Sequence, residues 1–339
     1  MKILVTGAAG FISGYLISEL LERGHEVIGL DNYSKYGPAE RSFDDHPSFA
    51  MHVGDAKDVQ LLKGLLDGCN CFVAAAAMIG GISYFHQYAY DLMAENERIT
   101  ASAFDAAIWA HRKRKLSKII VVSSSMVFES SNVFPTPEGA QFTCPPPRST
   151  YGFQKLCTEY FAKGAWEQYR LPFTIVRPFN CVGIGERRAT GDANVLSGNI
   201  KLAMSHVVPD LIQKVLKGQD PLHILGDGSQ VRHYTYGGDL ARGIATAIEH
   251  PQALNEDFNL STSVPTTVME LAGLIWKKTR GPEPMRIVCD EPFAHDVQKR
   301  IPDVSKAKDM LSFEATTPLD AVLDEVIPWI SEKVEAGDI

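Results

Sequence analysis

Tyr151 and Lys155 stand four residues apart, in the segment Ser-Thr-Tyr-Gly-Phe-Gln-Lys. On a helix, residues i and i+4 share one face, so the lysine ammonium lies near the phenol and favours its ionised form. At ~4 Å and an effective dielectric constant of ~20, a unit charge contributes ~4 kcal/mol, an upper limit of roughly three pK units. A phenol activated in this way can act as a general base near neutral pH.

A glycine-rich turn, residues 7–10, follows the first apolar run and opens a helix. Glycines in such a turn allow backbone N–H groups to approach a pyrophosphate at the helix N-terminus. Asp31 closes the second predicted strand, where an acidic residue binds both hydroxyls of the adenosine ribose and repels a 2′-phosphate. Asp55, in the segment Val53-Gly54-Asp55, is placed to meet the adenine. The pattern therefore predicts a dinucleotide site that favours NAD over NADP.

Composition excludes several classes of function. The chain has 339 residues, of which 45% are hydrophobic, so it can bury a large core in one large or two closely packed domains. Its net charge of -8 argues against nucleic-acid and membrane-surface partners. The six cysteines show neither a Cys-x-x-Cys pair nor a metal-binding spacing, and no signal peptide or membrane span is recognisable. We expect a metal-free, cytoplasmic protein.

Short apolar runs alternate with amphipathic helical patterns through the first half of the chain. The predicted strands cover residues 3–6, 26–30, 71–75, 119–123 and 173–177. This alternation is typical of an α/β fold, a Rossmann-type doubly wound parallel sheet with a smaller, mixed α/β lobe. We assign residues 1–179, with a return segment at about 231–261, to an NAD-binding domain. Residues 180–230 and 262–339, including the tail from 304 to 330, are assigned to a lobe that binds a nucleotide sugar.

Taken in order, the motifs resemble those of the extended short-chain dehydrogenase/reductases, in the nucleotide-sugar epimerase and dehydratase branch, and are most like UDP-glucose 4-epimerase-type enzymes. The resemblance covers nearly the whole chain and is carried by Gly7-x-x-Gly10, Asp31-Asn32, Gly54-Asp55, Asn96, residues 121–127, Tyr151-x-x-x-Lys155, residues 176–180, residues 226–232, Asp239 and residues 300–308.

The resemblance implies a catalytic role for three residues. Ser124 would hydrogen-bond the reacting sugar hydroxyl, Tyr151 would remove its proton, and Lys155 would bind the nicotinamide ribose while lowering the pKa of the phenol. The neighbouring Ser123 and Ser125 also fit a structural role as polar residues at a strand end.

The binding residues that the resemblance implies form two groups. Those for NAD are Gly7, Gly10, Phe11, Ile12, Asp31, Asn32, Asp55, Ala75, Asn96, Tyr151 and Lys155. Those for the nucleotide sugar are Gly81, Ser124, Ser125, Asn180, Val208, Arg232 and Arg300. In the second group, Asn180 and the two arginines would hold the diphosphate, since arginine forms bidentate, charge-assisted bonds to phosphate.

The chain departs from the family pattern at several positions. Ser13 replaces a usual third glycine, Ala74 replaces a frequent histidine, and Phe128-Glu129 replaces a Tyr-Gly pair. Met126 is expected to line the region near the reacting carbon, where it would change the shape of the pocket more than its chemistry.

Missing residues discriminate among the reactions of the family. Its 4,6-dehydratases carry Asp-Glu directly after the catalytic threonine, where this chain has Ser125-Met126. Decarboxylases carry glutamate at the Met126 position, and 3,5-epimerases and related reductases carry cysteine. Residues 79–82 and 205–209 nevertheless resemble that last, GDP-sugar subgroup, and Cys181 or His206 could supply a base from another direction.

The chemistry that remains is transfer of a hydride to NAD and back. We predict an NAD-dependent epimerase that inverts C4 of a UDP- or GDP-linked hexose through a transient 4-keto intermediate. One alternative is a GDP-sugar 3,5-epimerase/reductase, which Asp31 disfavours if it uses NADP, or another NDP-sugar oxidoreductase. The other is a non-catalytic dinucleotide sensor. The resemblance also predicts a homodimer formed through the helices near residues 91–111 and 152–169.

Overall fold

The computed structural model describes residues 1–38, 40–79, 87–114, 116–186, 193–195, 198–200, 206–292 and 297–337. Its centre is a seven-stranded sheet in which every neighbouring pair is parallel. The strands of this sheet are β1 (Lys2–Thr6), β2 (Glu26–Asp31), β3 (Phe49–Val53), β4 (Cys71–Ala74), β5 (Lys118–Val122), β6 (Phe173–Pro178) and β13 (Glu256–Leu260). The predicted Rossmann-type doubly wound sheet is confirmed, and the predicted strand ends differ by about one residue.

The strand order is β13-β6-β5-β4-β1-β2-β3, so the chain reverses direction across the sheet between β1 and β4. In open α/β sheets, ligands bind outside the carboxyl ends of the strands at such a switch point. The glycine turn after β1, Asp31 at the end of β2 and Ser124 just beyond β5 all lie at these carboxyl ends.

Helices cover both faces of the sheet. Strand β1 shows why: Ile3 and Val5 belong to one buried cluster, whereas Leu4 between them belongs to another. Alternate side chains of a strand point to opposite faces of the sheet, so a strand with apolar residues at every position needs helices packed on both faces. The helices on one face are α1 (Phe11–Glu22), α6 (Gly237–Glu249) and α8 (Ser305–Leu311), and those on the other are α2 (Val59–Leu65), α3 (Ala89–Arg114) and α4 (Thr150–Tyr169).

A third buried cluster forms the smaller lobe. It lies among α5 (Val207–Leu216), α7 (Val268–Arg280) and α9 (Leu319–Glu335), against the parallel pair β10 (Leu222–Leu225) and β15 (Ile287–Asp290). The remaining strands are short pairs: β7 (Cys181–Val182) with β12 (Thr235–Tyr236), β8 (Ala193–Val195) with β9 (Gly198–Ile200), and β11 (Val231–Arg232) with β14 (Thr266–Thr267).

The segment after residue 304 divides between the two units. Ala307, Leu311 and Phe313 pack in the core of the large sheet, although the sequence pattern assigned the whole tail to the smaller lobe. Only the part that forms α9 joins the lobe, where Leu323 and Ile330 are fully buried.

Hydrogen bonds from α9 also tie the two units together. The hydroxyls of Tyr15 on α1 and Tyr236 at the end of β12 donate to the two carboxylate oxygens of Glu325, at 3.2 and 2.8 Å. The Tyr15 hydroxyl in turn accepts the backbone N–H of Ile184, at 2.8 Å. These contacts position the smaller lobe against the carboxyl edge of the sheet. Within the described ranges, no helix has the length and apolar character needed to cross a membrane.

Candidate active site

A cleft of about 990 Å³ lies between the carboxyl edge of the sheet and the smaller lobe. The predicted binding residues that line it are Gly7, Gly10, Phe11, Ile12, Asp31, Asn32, Asp55, Ala75, Ser124, Ser125, Tyr151, Lys155, Asn180, Val208, Arg232 and Arg300. These positions are spread over nearly 300 residues of sequence, and the fold brings them to one surface.

The glycine turn at one end of the cleft is tightly constrained. Gly7 has φ +71°, and a Cβ there would lie 2.9 Å from the Cα of Ala76. Gly10 directly precedes α1, and a Cβ on it would lie 2.9 Å from the Gly7 carbonyl oxygen. No side chain makes a capping hydrogen bond at the N-terminus of α1, and its first turn has no acidic residue, so its backbone N–H groups can receive an anionic group.

Asp31 holds this turn in place. Its carboxylate accepts the backbone N–H of Ala9 at 3.0 Å and that of Tyr33 at 2.7 Å. Burial raises the pKa of Asp31 above its ordinary value, while these backbone donors and the positive charge of Arg41 oppose the rise. The carboxylate lines the cleft beside the turn, in the position predicted for binding a ribose.

Tyr151 lies in the first turn of α4, close to Ser124. The Ser149 hydroxyl caps this helix by accepting the N–H of Gly152 at 3.0 Å, and it donates to Glu129 at 2.7 Å. Glu129 thus fixes the helix start that carries the phenol. It does not line the cleft, so this departure from the family pattern acts on the position of α4 and not on the ligand directly.

The electrostatic environment of the phenol differs from the prediction. Burial raises the pKa of Tyr151, and the opposing influences are a hydrogen bond with Ser124 and the positive charge of Arg300. Sequence reasoning assigned that role to Lys155, but the Lys155 ammonium donates to the Val122 carbonyl oxygen at 2.9 Å. Burial lowers the pKa of Lys155 to about 8, and the carboxylate of Glu159 opposes this shift.

The substrate side of the cleft contains buried polar atoms that are not hydrogen-bonded within the described part of the chain. They include the amide nitrogen of Asn180 and the hydroxyl of Tyr234. Both residues line the cleft with Arg232 and Arg300, so a bound ligand can satisfy them. Sequence reasoning missed Tyr234. The signal was its position two residues after Arg232, since residues i and i+2 of an extended segment point the same way.

Two predicted binding residues are not brought to the wall of this cleft. Asn96 is buried on α3, where its side-chain amide both accepts the backbone N–H of Met78, at 2.7 Å, and donates to the Met78 carbonyl, at 2.9 Å. It therefore orders the segment that follows β4, in which Met78 itself lines the cleft. Gly81 lies outside the described residues.

The residues that could support other reactions of the family have distinct environments. Met126 lines the cleft with only 6% of its surface exposed. Cys181 also lines it, but burial raises the pKa of its thiol well above the ordinary value, so the thiol is a poor base. His206 lines the cleft as well and contacts the carboxylate of Glu186. Phe128 packs beside Phe179 and does not line the cleft.

A model of the NAD dependent epimerase/dehydratase family matches residues 3–261. The chain belongs to this family. It is 27% identical to the UDP-glucose 4-epimerase of Halalkalibacterium halodurans over 98% of this chain and 96% of that protein. It is equally similar, at 27% identity, to the UDP-N-acetyl-alpha-D-glucosaminuronate decarboxylase of Bacillus cytotoxicus, over 98% of both chains. A solved UDP-glucose 4-epimerase from Thermotoga maritima, with UDP-glucose, superposes with a TM-score of 0.80 at 27% identity, covering 98% of this chain and 100% of that one.

NAD is the cofactor of the family, and the residues of this chain fit it. The turn at Gly7 and Gly10 leaves space where a side chain would collide with the backbone, and it presents the N-terminus of α1 to a pyrophosphate. Asp31 supplies a carboxylate for the ribose, and Lys155 reaches the same cleft. The protein is therefore an enzyme of an NAD-dependent epimerase/dehydratase family, in which similar relatives catalyse different reactions.

Proposed function

We propose that the protein is an NAD-dependent 4-epimerase of a nucleotide-diphosphate hexose, with UDP- or GDP-linked sugars as its substrate class. The proposal rests on the identity of the residues that follow Ser124 in the cleft, beside the Ser124–Tyr151 pair. The next residues are Ser125 and Met126, neither of which can remove a proton from carbon. The Ser124–Tyr151 pair with these two neighbours supports reversible oxidation of a hydroxyl, whereas the 3,5-epimerase/reductase alternative would need a base such as His206, which also lines the cleft.

In the proposed reaction, Arg232, Arg300 and Asn180 hold the diphosphate. Ser124 hydrogen-bonds the sugar 4-hydroxyl, and Tyr151 removes the hydroxyl proton. Bound NAD supplies the acceptor, and later the donor, of the C4 hydride. The 4-keto sugar rotates about its diphosphate, the hydride returns to the opposite face, and Tyr151 returns the proton. Protons and hydride balance within the site, so no external acid, base or reductant is needed.

A panel of UDP-, GDP-, dTDP- and CDP-sugars incubated with the protein in D2O, with products followed by NMR, tests the reaction. A 4-epimer without deuterium on carbon is the expected product. Deuterium at C3 or C5 would mean that a carbon base operates and would support the 3,5-epimerase/reductase alternative. Loss of the C6 carbon from a glucuronate substrate would support decarboxylation. No turnover of any sugar, with retained NAD binding, would favour a dinucleotide sensor.

The role of Tyr151 is tested with a pair of variants on the same helix. Tyr151→Phe should retain less than a few per cent of the activity, because the phenylalanine cannot accept the proton. Tyr169→Phe, at the exposed end of α4, removes the same atom outside the cleft and should behave like the unmodified protein. Equal activity in the two variants would overturn the assignment.

We also propose that two copies of the chain associate through α3 and α4. These helices pack against each other, and they expose the large aromatic side chains of Tyr90, Phe153, Tyr160 and Phe161. Light scattering coupled to size-exclusion chromatography tests this proposal. The expected mass is twice 37.3 kDa, and a replacement of Tyr160 by glutamate should convert the dimer to a monomer.

A further inference from the structure

A network of buried charges lies directly behind residues 123–126, the segment after β5 that contains Ser124 and is called the catalytic loop below. Glu159 on α4 and Arg177 on β6 both have side chains with no exposed surface. The guanidinium donates to both Glu159 carboxylate oxygens, from Nε at 2.7 Å and from Nη2 at 2.8 Å, and the same Nη2 also donates to Asp257 at 2.6 Å. Lys306 completes the network with a 2.8 Å contact to Asp257. A buried carboxylate costs free energy unless it is paired and hydrogen-bonded, and here Glu159 is both.

Glu159 is linked to the catalytic loop through Ser123. The Ser123 hydroxyl donates to Glu159 at 2.6 Å, and Gln141 donates to the other carboxylate oxygen at 3.1 Å. Ser123 directly precedes Ser124, whose hydroxyl is hydrogen-bonded with Tyr151. The Ser123–Glu159 contact therefore joins the end of β5 to the helix that carries the phenol.

Glu159 is also linked to Lys155. The two residues lie one turn apart on α4, and the carboxylate opposes the loss of the ammonium proton that burial favours. The Glu159 side chain therefore both accepts the Ser123 hydrogen bond and acts on the charge of Lys155, and it lies outside the cleft lining.

We propose that Glu159 is a positioning residue of the reaction: through Ser123 it holds Ser124 against the Tyr151 helix, and it places a negative charge one turn from the Lys155 ammonium. The inference rests on the proposed use of Ser124, Tyr151 and Lys155 in catalysis. Glu159 does not line the cleft and touches no reacting atom.

Several other groups near Lys155 bear on its charge, and the experiment must separate them from Glu159. On α4 itself, Tyr151 lines the same cleft as Lys155, and β5 provides the neutral carbonyl of Val122. From α3, the neutral Asn96 and Thr100 line a small cavity together with Lys155, and Glu95 and Glu97 lie on the same helix. Arg177 on β6 and Asp257 on β13 lie beyond Glu159. Asp257 provides the matched control, because it pairs with the same guanidinium but contacts neither Ser123 nor Lys155.

Glu159→Gln, Ser123→Ala and Asp257→Asn are compared by their pH profiles of kcat and KM. Glu159→Gln keeps the shape but removes the charge, so kcat should fall at least tenfold at neutral pH with little change in KM. The alkaline limb of its profile should move to lower pH by about one unit, since an ammonium that loses a nearby negative charge gives up its proton more readily. Ser123→Ala should lower kcat without moving that limb. Asp257→Asn should leave kcat and the limb unchanged.

A titration of Lys155 separates this inference from the proposed function. The protein is labelled with ¹³C-lysine, and Lys155→Met identifies its resonance. If no sugar is turned over, the proposed function fails, but a lower titration midpoint in Glu159→Gln than in Asp257→Asn would still support the charge effect. Equal midpoints in these two variants, or an unchanged kcat in Ser123→Ala, would overturn the inference. Should Glu159→Gln fail to fold, the Ser123→Ala result alone decides.

Discussion

Replacement of Gly7 by alanine tests the cofactor turn most directly. At φ +71°, an L-residue has a left-handed backbone, which costs ~1–2 kcal/mol. The new Cβ would also lie 2.9 Å from Ala76 Cα and 3.0 Å from the Ala76 backbone nitrogen. Neither atom is the end of a flexible side chain, so the backbone must shift, at a further ~1–3 kcal/mol typical of overpacking. The free energy of unfolding should therefore fall by about 2–5 kcal/mol.

Gly24→Ala is the matched control. Gly24 has a similar φ of +78°, but a Cβ there meets nothing within 4 Å. This variant should lose only the left-handed cost of about 1–2 kcal/mol. The difference between the two variants in urea denaturation isolates the collision with Ala76.

Binding measurements complete the test. Isothermal titration calorimetry should show at least tenfold weaker NAD binding in Gly7→Ala, because the turn that faces the pyrophosphate moves, and unchanged binding in Gly24→Ala. If the two variants lose equal stability and bind NAD equally well, the close approach of Gly7 to Ala76 does not constrain the turn, and the reasoning is refuted.

Three further predictions concern carboxylates around the cleft. Glu129→Ala removes the carboxylate that accepts the hydrogen bond of the capping Ser149 hydroxyl, so the free energy of unfolding should fall by about 1–2 kcal/mol and kcat should also fall. Glu129→Gln keeps an acceptor oxygen and should retain most of the stability and most of kcat. Equal losses in the two variants would contradict a capping role. Burial acts to raise the pKa of Asp257, but Arg177 and Lys306 together outweigh it and lower that pKa from 3.8 to about 2. This carboxylate therefore contributes about 2 kcal/mol of stability above pH 4, which is lost as the pH falls towards 2. Urea unfolding between these pH values should show a steeper loss in the unmodified protein than in Asp257→Asn. Asp31→Asn removes the charge that repels a 2′-phosphate, so the ratio of NADP to NAD dissociation constants should fall at least tenfold; an unchanged ratio would argue against that role.

Much of the site could be predicted because its parts are local in sequence. The Gly7 turn and the Tyr151–Lys155 spacing each lie within five residues, and the helical or extended geometry of a short segment fixes where its side chains point. Asp31 could be located because the carboxyl end of a parallel strand always lies at the same edge of the sheet. The strands were also recognisable from short stretches of sequence, because a strand buried on both faces has few polar residues and appears as an apolar run.

Other features depend on contacts between segments far apart in the chain. Asn96 is hydrogen-bonded to the backbone of Met78 and does not line the cleft, and α8 packs on the large sheet. Both outcomes depend on which residues the tertiary fold places beside these segments. The pKa of Tyr151 depends on exclusion of water and on Arg300, and the pKa of Lys155 depends on its burial, none of which the spacing in the Tyr151 segment reveals.

The sequence by itself determined which residue types could perform the chemistry and which segments would become strands and helices, because hydrophobic period and turn residues act over a few positions. Only the tertiary structure decided which side chains meet, as in the pairing of Glu159 with Arg177 behind Ser123. The physical reason is that burial and electrostatic interaction depend on distance in space, and the order of the strands brings together residues that are well separated in the chain.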